Sequence, residues 1–152
     1  MSTILNGVEG VRSQVGQDLG FGEWQTVTQA RVNTFAEASG DYQWIHVDEE
    51  RAAKGPFKKT IAHGLLTLSM INSLSKGLFK FEGFRMIANY GYDKIRFPTT
   101  VPVGSRVRAG AKIVAADDMP NNGLQIKLEL TVEVEGSEKP ACVAAMIMRA
   151  SV

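Results

Sequence analysis

Cysteine and histidine are scarce in this chain of 152 residues, which contains one cysteine and two histidines. The cysteine, Cys142, has no partner for an intrachain disulfide, and it lies in an apolar segment where buried structural cysteines are common. The histidines, His46 and His63, lack the His-x-x-x-His or Cys-x-x-Cys spacing of a metal site. The sequence therefore predicts neither a nucleophilic cysteine nor a bound metal.

An excess of charge and a long apolar run are also missing. The chain has 17 basic and 16 acidic residues, which excludes the basic surface typical of nucleic-acid and anionic-membrane binders. The longest apolar run, residues 141–148, is too short to span a bilayer, and residues 1–20 do not resemble a secretion signal. Glycine-rich phosphate loops and a Gly-x-Ser-x-Gly nucleophile elbow are absent. We expect a cytoplasmic protein without a cofactor, a nucleic-acid partner or a membrane partner.

The most informative feature is an aspartate followed five positions later by a histidine, Asp41 and His46. On a continuous helix these side chains would point about 140° apart, so a shared reacting centre requires a loop. Thr28 is suited to the N-cap of a preceding helix, Gly40 to its left-handed end, and Asp48 to the N-cap of a following short helix. We therefore expect both side chains on a short connection between helix ends, although an aspartate after a helix often only bonds the backbone.

A second feature is Gly64, which follows His63 and opens an apolar helical segment. The first turn of a helix has unpaired N–H groups and the positive end of the helix dipole, and glycine leaves room for a ligand carbonyl. Gly64 is therefore a candidate oxyanion site. The segment is apolar on most of its circumference, which predicts a helix in the middle of a core. Its apolar residues are Leu65, Leu66, Leu68, Met70, Ile71, Leu74 and Leu78.

The second half of the chain is dominated by alternating apolar and polar residues. This period of two occurs in residues 106–113 and 125–134 and predicts strands with one exposed face. Residues 141–148 are apolar on both faces, as expected for a central strand, and residues 85–97 predict another strand. The order of elements implies an α+β fold in which an antiparallel sheet wraps around the long apolar helix. We find no repeat or linker and expect one domain over residues 1–152.

These residues resemble a known family, the MaoC-like, R-specific enoyl-CoA hydratases. The resemblance rests on Gly40-Asp41, Ile45-His46 and His63-Gly64, and it extends over residues 24–149. It implies the hotdog fold and a homodimer whose sheets join edge to edge, with an acyl-CoA thioester bound near the subunit interface. The chain departs from the family at Gln43-Trp44, where Asn-Pro is the common form, and this affects substrate preference more than chemistry.

The activity that the resemblance implies is the reversible addition of water to a trans-2-enoyl-CoA, giving the (R)-3-hydroxyacyl-CoA in fatty acid metabolism. Asp41 and His46 would be the catalytic pair, with their individual proton transfers unassigned. The backbone N–H of Gly64 would bind the thioester oxygen. Three further residues would contact the substrate, namely Gln43, His63 and Ser69.

Two alternatives remain open from the sequence. A hotdog acyl-CoA thioesterase would activate water beside the same polarised thioester and release CoA, and a non-catalytic acyl-thioester-binding protein would keep the pocket without turnover. At single residues, His63 has the alternative of capping or packing at the helix start. Ser69 has the alternative of bonding the backbone one turn earlier.

Overall fold

The computed structural model describes residues 2–152, and its helices are concentrated in the first half of this range. They are α1 (Gly7–Arg12), α2 (Gln29–Ser39), α3 (Trp44–Val47), α4 (Glu49–Ala53), α5 (Gly64–Ser69) and α6 (Ile71–Leu74). The strands are β1 (Thr3–Asn6), β2 (Asp18–Phe21), β3 (Gln25–Thr26), β4 (Phe79–Glu82), β5 (Met86–Arg96), β6 (Arg106–Met119), β7 (Gly123–Val134) and β8 (Cys142–Ser151). A 3-10 helix, Pro120–Asn122, forms the turn between β6 and β7.

The main sheet is antiparallel and has the order β2-β6-β7-β8-β5, with β3 also paired to β6. Strand β7 alternates strictly between buried and half-exposed positions over most of its length, as its period of two predicts. Strand β8, which is apolar on both faces, lies between β7 and β5. The α+β class and the wrapping of an antiparallel sheet around the apolar segment are confirmed.

A two-stranded parallel sheet lies beside the main one and was not expected from the sequence. It pairs β1 with β4, in the register Thr3 to Phe79 through Asn6 to Glu82. Leu5, in the middle of β1, is fully buried and belongs to the hydrophobic core. Residues 3–6 are therefore part of the packed structure.

The central apolar segment is not one long helix, which corrects that part of the expectation. It is two short helices, α5 and α6, separated at Met70. The hydroxyl of Ser69 donates to the carbonyl of Leu66 at 2.7 Å, and that of Ser75 donates to the carbonyl of Ile71 at 2.7 Å. Such side-chain bonds compete with the backbone ladder and bend helices. The segment remains a core element, because Leu66, Met70, Ile71 and Leu74 are buried.

Three helix ends that were expected from the sequence hold the candidate site in place. The side chain of Thr28 accepts a hydrogen bond from the N–H of Arg31 at 3.2 Å, and α2 ends at Gly40 with a left-handed φ of 78°. The side chain of Asp48 accepts from the N–H of Arg51 at 3.0 Å and caps α4. These caps fix where α2 ends and α4 begins, and therefore where residues 41–47 lie.

Across residues 2–152, no helix combines the length and apolarity that crossing a bilayer requires.

Candidate active site

Asp41 and His46 are brought together by the tight connection after α2. Asp41 lies in the loop between Gly40 and α3, whereas His46 lies within α3 itself. Side-chain ligand atoms of Asp41, His46 and His63 all lie within 4.8 Å of one another. Asp41 is exposed and His46 is buried, so the pair joins a solvated carboxylate to a desolvated imidazole.

The tautomer of His46 follows from its hydrogen bond. Its Nδ1 lies 2.7 Å from the backbone carbonyl of Ile61, and a carbonyl only accepts, so Nδ1 carries the proton. In the neutral ring Nε2 is therefore an acceptor. Burial lowers the pKa of His46 below its ordinary value, the Ile61 carbonyl raises it, and the nearby His63 lowers it further, while Asp41 raises it. The net direction is downward, which favours a neutral imidazole that accepts a proton.

The loop that carries Asp41 is shaped by local hydrogen bonds. The carboxylate Oδ1 of Asp41 accepts from the N–H of Gln43 at 3.2 Å, so the expected backbone-bonding role is present beside the chemical one. Gln43 is exposed, which leaves its amide free for solvent or a ligand. Trp44, in place of the family proline, packs its ring under the guanidinium of Arg51, whose central carbon lies 4.3 Å from the ring centroid. Trp44 therefore anchors the start of α3 by packing.

Gly64 opens α5 at the edge of a cavity next to the pair. As the first residue of the helix, it has an N–H without an intrahelical acceptor. A Cβ at this position would lie 3.1 Å from ring carbons of Phe97, so any other residue would have to shift that ring. The cavity has a volume of about 180 Å³. Its walls consist of His46, Ile61, Ala62, Gly64, Thr67, Phe97, Thr99, Thr100, Val101 and Ala141.

A second cavity, of about 220 Å³, lies against the other half of the central segment. It is bordered by α6, by the residues that follow α6, and by strands β4, β7 and β8, and most of its wall is apolar. Its lining residues are Ile71, Asn72, Ser75, Lys76, Phe79, Phe81, Leu128, Leu130, Met146 and Met148. The core of the molecule therefore offers a second, largely apolar space beyond the cavity beside Gly64.

The remaining expected site residues, His63 and Ser69, differ in whether they reach the site. His63 is 3% exposed and its ring stacks on that of His46 with centroids 3.8 Å apart. Ser69 is not brought to the site, because it is exposed and its hydroxyl bonds the carbonyl of Leu66, the alternative that the sequence had left open. Thr67, one turn after His63, lines the cavity instead. Thr67, two residues before Ser69, is therefore the hydroxyl-bearing residue of α5 that borders the candidate site.

The three clustered side chains do not suit a metal ion. The rings of His46 and His63 are inclined by only 24° at 3.8 Å, so their lone pairs lie in nearly parallel planes. A zinc ion binds in the plane of each imidazole at about 2.0–2.1 Å, and one ion cannot satisfy both rings. Cys142 is equally unsuited to nucleophilic chemistry, because burial raises the pKa of its thiol to about 11.

Gln29 and Thr60 support the site and were missed by the sequence reasoning. The amide nitrogen of Gln29 donates to the backbone carbonyl of His46 at 2.8 Å, and its oxygen accepts from the hydroxyl of Thr60 at 2.6 Å. Gln29 thus connects α2, which ends before Asp41, to α3 and to the segment leading to Gly64. A glutamine in the first turn of a helix has no distinctive pattern, so only the fold identifies it.

Replacing Gln29 with Leu should destabilise the protein by about 1–3 kcal/mol, because the buried hydroxyl of Thr60 loses its acceptor. Urea unfolding at neutral pH measures this change. The matched control is Gln17→Leu, since Gln17 is exposed and lies outside the site. That substitution should stay within about 0.5 kcal/mol of the parent. Equal effects of the two substitutions would contradict the supporting role of Gln29.

Comparison with known proteins identifies the family of this fold and site. The MaoC-like domain family matches residues 11–136. The chain is 50% identical over 142 residues to the 3-hydroxyacyl-thioester dehydratase Z of Mycobacterium tuberculosis, a match that covers 93% of this chain and 94% of that protein.

Solved structures agree with this assignment. The monoamine oxidase regulatory protein from Archaeoglobus fulgidus superposes with a TM-score of 0.82 at 25% identity, over 100% of this chain and 99% of that one. An (R)-hydratase from A. caviae involved in PHA biosynthesis superposes with a TM-score of 0.71 at 24% identity, over 88% of this chain and 94% of that one. The second similarity shows the hotdog fold. The chain therefore belongs to the MaoC-like dehydratase family, and it is a hydro-lyase.

Proposed function

We propose that the protein catalyses the reversible hydration of a trans-2-enoyl thioester to the (R)-3-hydroxyacyl thioester, acting in fatty acid metabolism. The observation that carries this proposal is that His46 and Gly64 line one cavity, while ligand atoms of Asp41 and His46 lie within 4.8 Å of each other. An acid/base pair beside a hydrogen-bond donor is what addition of water across a polarised double bond requires. The 50% identity to a 3-hydroxyacyl-thioester dehydratase supports the same reaction class.

Polarisation of the substrate is assigned to Gly64. The thioester oxygen accepts a hydrogen bond from the Gly64 N–H, and the double bond then becomes electrophilic at its β-carbon. The bond strengthens as the oxygen gains enolate character, so it stabilises the transition state more than the ground state. Gln43, exposed next to Asp41, is proposed to contact the substrate or the water.

Proton transfer is assigned to Asp41 and His46 acting on one water molecule. As the water oxygen bonds to the β-carbon, its proton passes to the pair, and the α-carbon receives one proton from the pair. The tautomer of His46 makes Nε2 the atom that accepts a proton from a donor in the cavity. Dehydration runs through the same steps in reverse. A well-placed acid or base of this kind contributes about 10²- to 10⁴-fold in rate.

The acyl chain and the second subunit complete the proposal. The apolar cavity between α6 and strands β4, β7 and β8 provides room for an acyl chain that extends past the central segment.

Strand β5 is at the end of the sheet and exposes Met86 and Tyr90 to about three-fifths of their full areas. We propose that a second copy pairs with this edge, as unpaired strand edges favour. Sedimentation equilibrium should then give twice the chain mass of 16.6 kDa.

The function is tested by incubating purified protein with crotonyl-CoA and with a longer enoyl-CoA. Loss of enoyl absorbance without release of free thiol supports the hydratase reaction. Release of thiol identifies a thioesterase instead, and binding without either signal identifies a non-catalytic acyl-thioester-binding protein. Repeating the assay with enoyl chains on an acyl carrier protein determines the preferred carrier.

The pKa of His46 gives the proposal a pH dependence. Because the folded-state pKa lies below the ordinary 6.5, His46 stays neutral and basic at neutral pH. The hydration rate should therefore stay constant as the pH is lowered to values below 6.5. It should fall only where His46 of the folded protein takes up a proton. In the unfolded chain His46 has its ordinary pKa, so it takes up a proton at a higher pH than in the folded protein. The stabilisation that is present above pH 6.5 should therefore be lost as the pH falls through the folded-state pKa.

Rate and urea-unfolding profiles between pH 5 and 8 check both statements. His46→Asn is the matched control, because it removes the titrating group and should flatten this part of the stability profile. A rate that already falls above pH 7 would contradict the lowered pKa.

A further inference from the structure

His63 is a buried titratable residue at the site that the proposed mechanism does not use. Its ring is 3% exposed, it directly precedes Gly64, and it lies at the N-cap of α5. Its Nε2 lies 2.9 Å from the backbone carbonyl of Asp41. Since the carbonyl only accepts, Nε2 carries a proton and donates it. His63 thus donates a hydrogen bond to the main chain of the loop that carries Asp41, the catalytic loop.

The ring of His63 also packs against the ring of His46. The two imidazoles are stacked with centroids 3.8 Å apart and planes inclined by 24°. Phe35, from α2, contacts His63 with ring centroids 4.8 Å apart. His63 therefore lies between the helix that precedes Asp41 and the ring that handles the proton, and it touches both halves of the pair.

The second nitrogen of His63 is unusual in this environment. Nδ1 is buried and has no hydrogen-bond partner among the described residues. An unpaired buried polar atom costs free energy, which calls for an explanation. A phenylalanine would stack as well without this cost, so packing alone does not account for an imidazole here. Donation to the Asp41 carbonyl does account for it.

We propose that His63 is a positioning residue, which fixes the backbone of Asp41 through Nε2 and supports the ring of His46 in its neutral, proton-accepting form. This inference rests on the proposed function, because it gives the residue its role within the same catalytic pair. It replaces the substrate contact that the sequence suggested for His63.

The charges around His46 are consistent with this role. The titratable groups that act on its ring are His63, whose charge opposes protonation, and Asp41, whose charge favours it. The other residues that line the cavity are uncharged, and they come from residues 61–62, α5, residues 97–101 and Ala141. Burial is the largest influence on the pKa of His46, and His63 supplies part of that burial through the stack.

Two substitutions separate the two parts of the proposal. His63→Gln keeps an amide N–H near the position of Nε2 and removes the second imidazole. His63→Phe keeps a stacked ring and removes the donor. The chain has only two histidines, so in either variant His46 is the single histidine and its NMR titration is unambiguous. Phe35→Leu is the packing control, because it loosens the contact with His63 without removing the donor or the imidazole.

The expected result is a drop of about tenfold or more in kcat for His63→Phe with KM changed less than about threefold, since the catalytic loop loses its anchor. His63→Gln should keep kcat within about threefold, and the titration midpoint of His46 should move upward. Phe35→Leu should change thermal stability and leave the shape of the pH–rate profile as in the parent.

Two results overturn the inference. An increase in KM with kcat unchanged in both His63 variants would show a substrate contact. Equal losses of kcat in both variants, with the His46 titration unmoved in His63→Gln, would show packing alone. If the parent protein turns over no enoyl or hydroxyacyl thioester, the proposed function fails. The titration of His46 in parent and His63→Gln then still decides whether His63 acts on its neighbour.

Discussion

Replacing His46 with Asn should lower kcat for enoyl-thioester hydration by about 10²- to 10⁴-fold while the protein remains folded. The amide nitrogen of Asn reaches about as far as Nδ1, so it preserves the donation to the Ile61 carbonyl that holds α3. What is lost is Nε2, the atom proposed to accept the proton. Asp41→Asn should cause a loss of similar size, because its amide oxygen still accepts from the Gln43 N–H but no longer carries charge.

Steady-state kinetics with both single variants and the double variant measure this effect. The two losses should not add, because the residues act as one unit on one water molecule. Asp48→Asn is the matched control, since asparagine caps a helix as well as aspartate and Asp48 lies outside the site. Its rate should equal that of the parent. A fully active Asp41→Asn variant would remove the carboxylate from the mechanism.

Gly64→Ala should lower activity by about 10²-fold while leaving the fold intact. Alanine is a better helix former than glycine, so α5 is not weakened. The new methyl group, however, would lie 3.1 Å from the ring of Phe97 and would displace that ring in the wall of the cavity. The thioester carbonyl then loses its close approach to the N–H.

Gly91→Ala is the matched glycine control, because no atom lies within 4 Å of a Cβ built there. Kinetics and thermal unfolding of both variants separate loss of function from loss of structure. Combining Gly64→Ala with Phe97→Leu should recover part of the activity, since leucine removes the ring that the methyl group meets. A fully active Gly64→Ala variant would rule out the close approach proposed here.

The long strands and the capped helix ends were predictable from sequence because each depends on local chemistry. Alternation in residues 125–134 reflects a sheet with one buried face, and Thr28 and Asp48 cap helices through bonds to residues three positions away. The pairing of β1 with β4 was not predictable, because it joins segments 76 positions apart in the chain, as Thr3 and Phe79 show. The single-domain organisation over residues 1–152 stays a prediction.

The closeness of Asp41 to His46 and the position of Gly64 at a helix start were predictable from local spacing, and their catalytic roles stay predictions. The site was not predictable where contacts across the fold decide the role. Gln29 is linked to His46 and Thr60 over 17 and 31 positions, and no local pattern marks it. Ser69 failed as a pocket residue because its hydroxyl had a nearer acceptor in its own helix.

The parallel strand β1 has a practical consequence for truncation and fusion of the chain. Removing residues 1–6 would strip the partner from β4, whose Phe79 and Phe81 line the apolar cavity, and would empty the place of buried Leu5. At the other end, Ser151 is paired with Met86 in the main sheet. Residues 3–6 and 142–151 are therefore strands in a ladder, so a purification tag or a fused enzyme placed beside either strand needs a flexible glycine- and serine-rich spacer to avoid pulling that strand out of register.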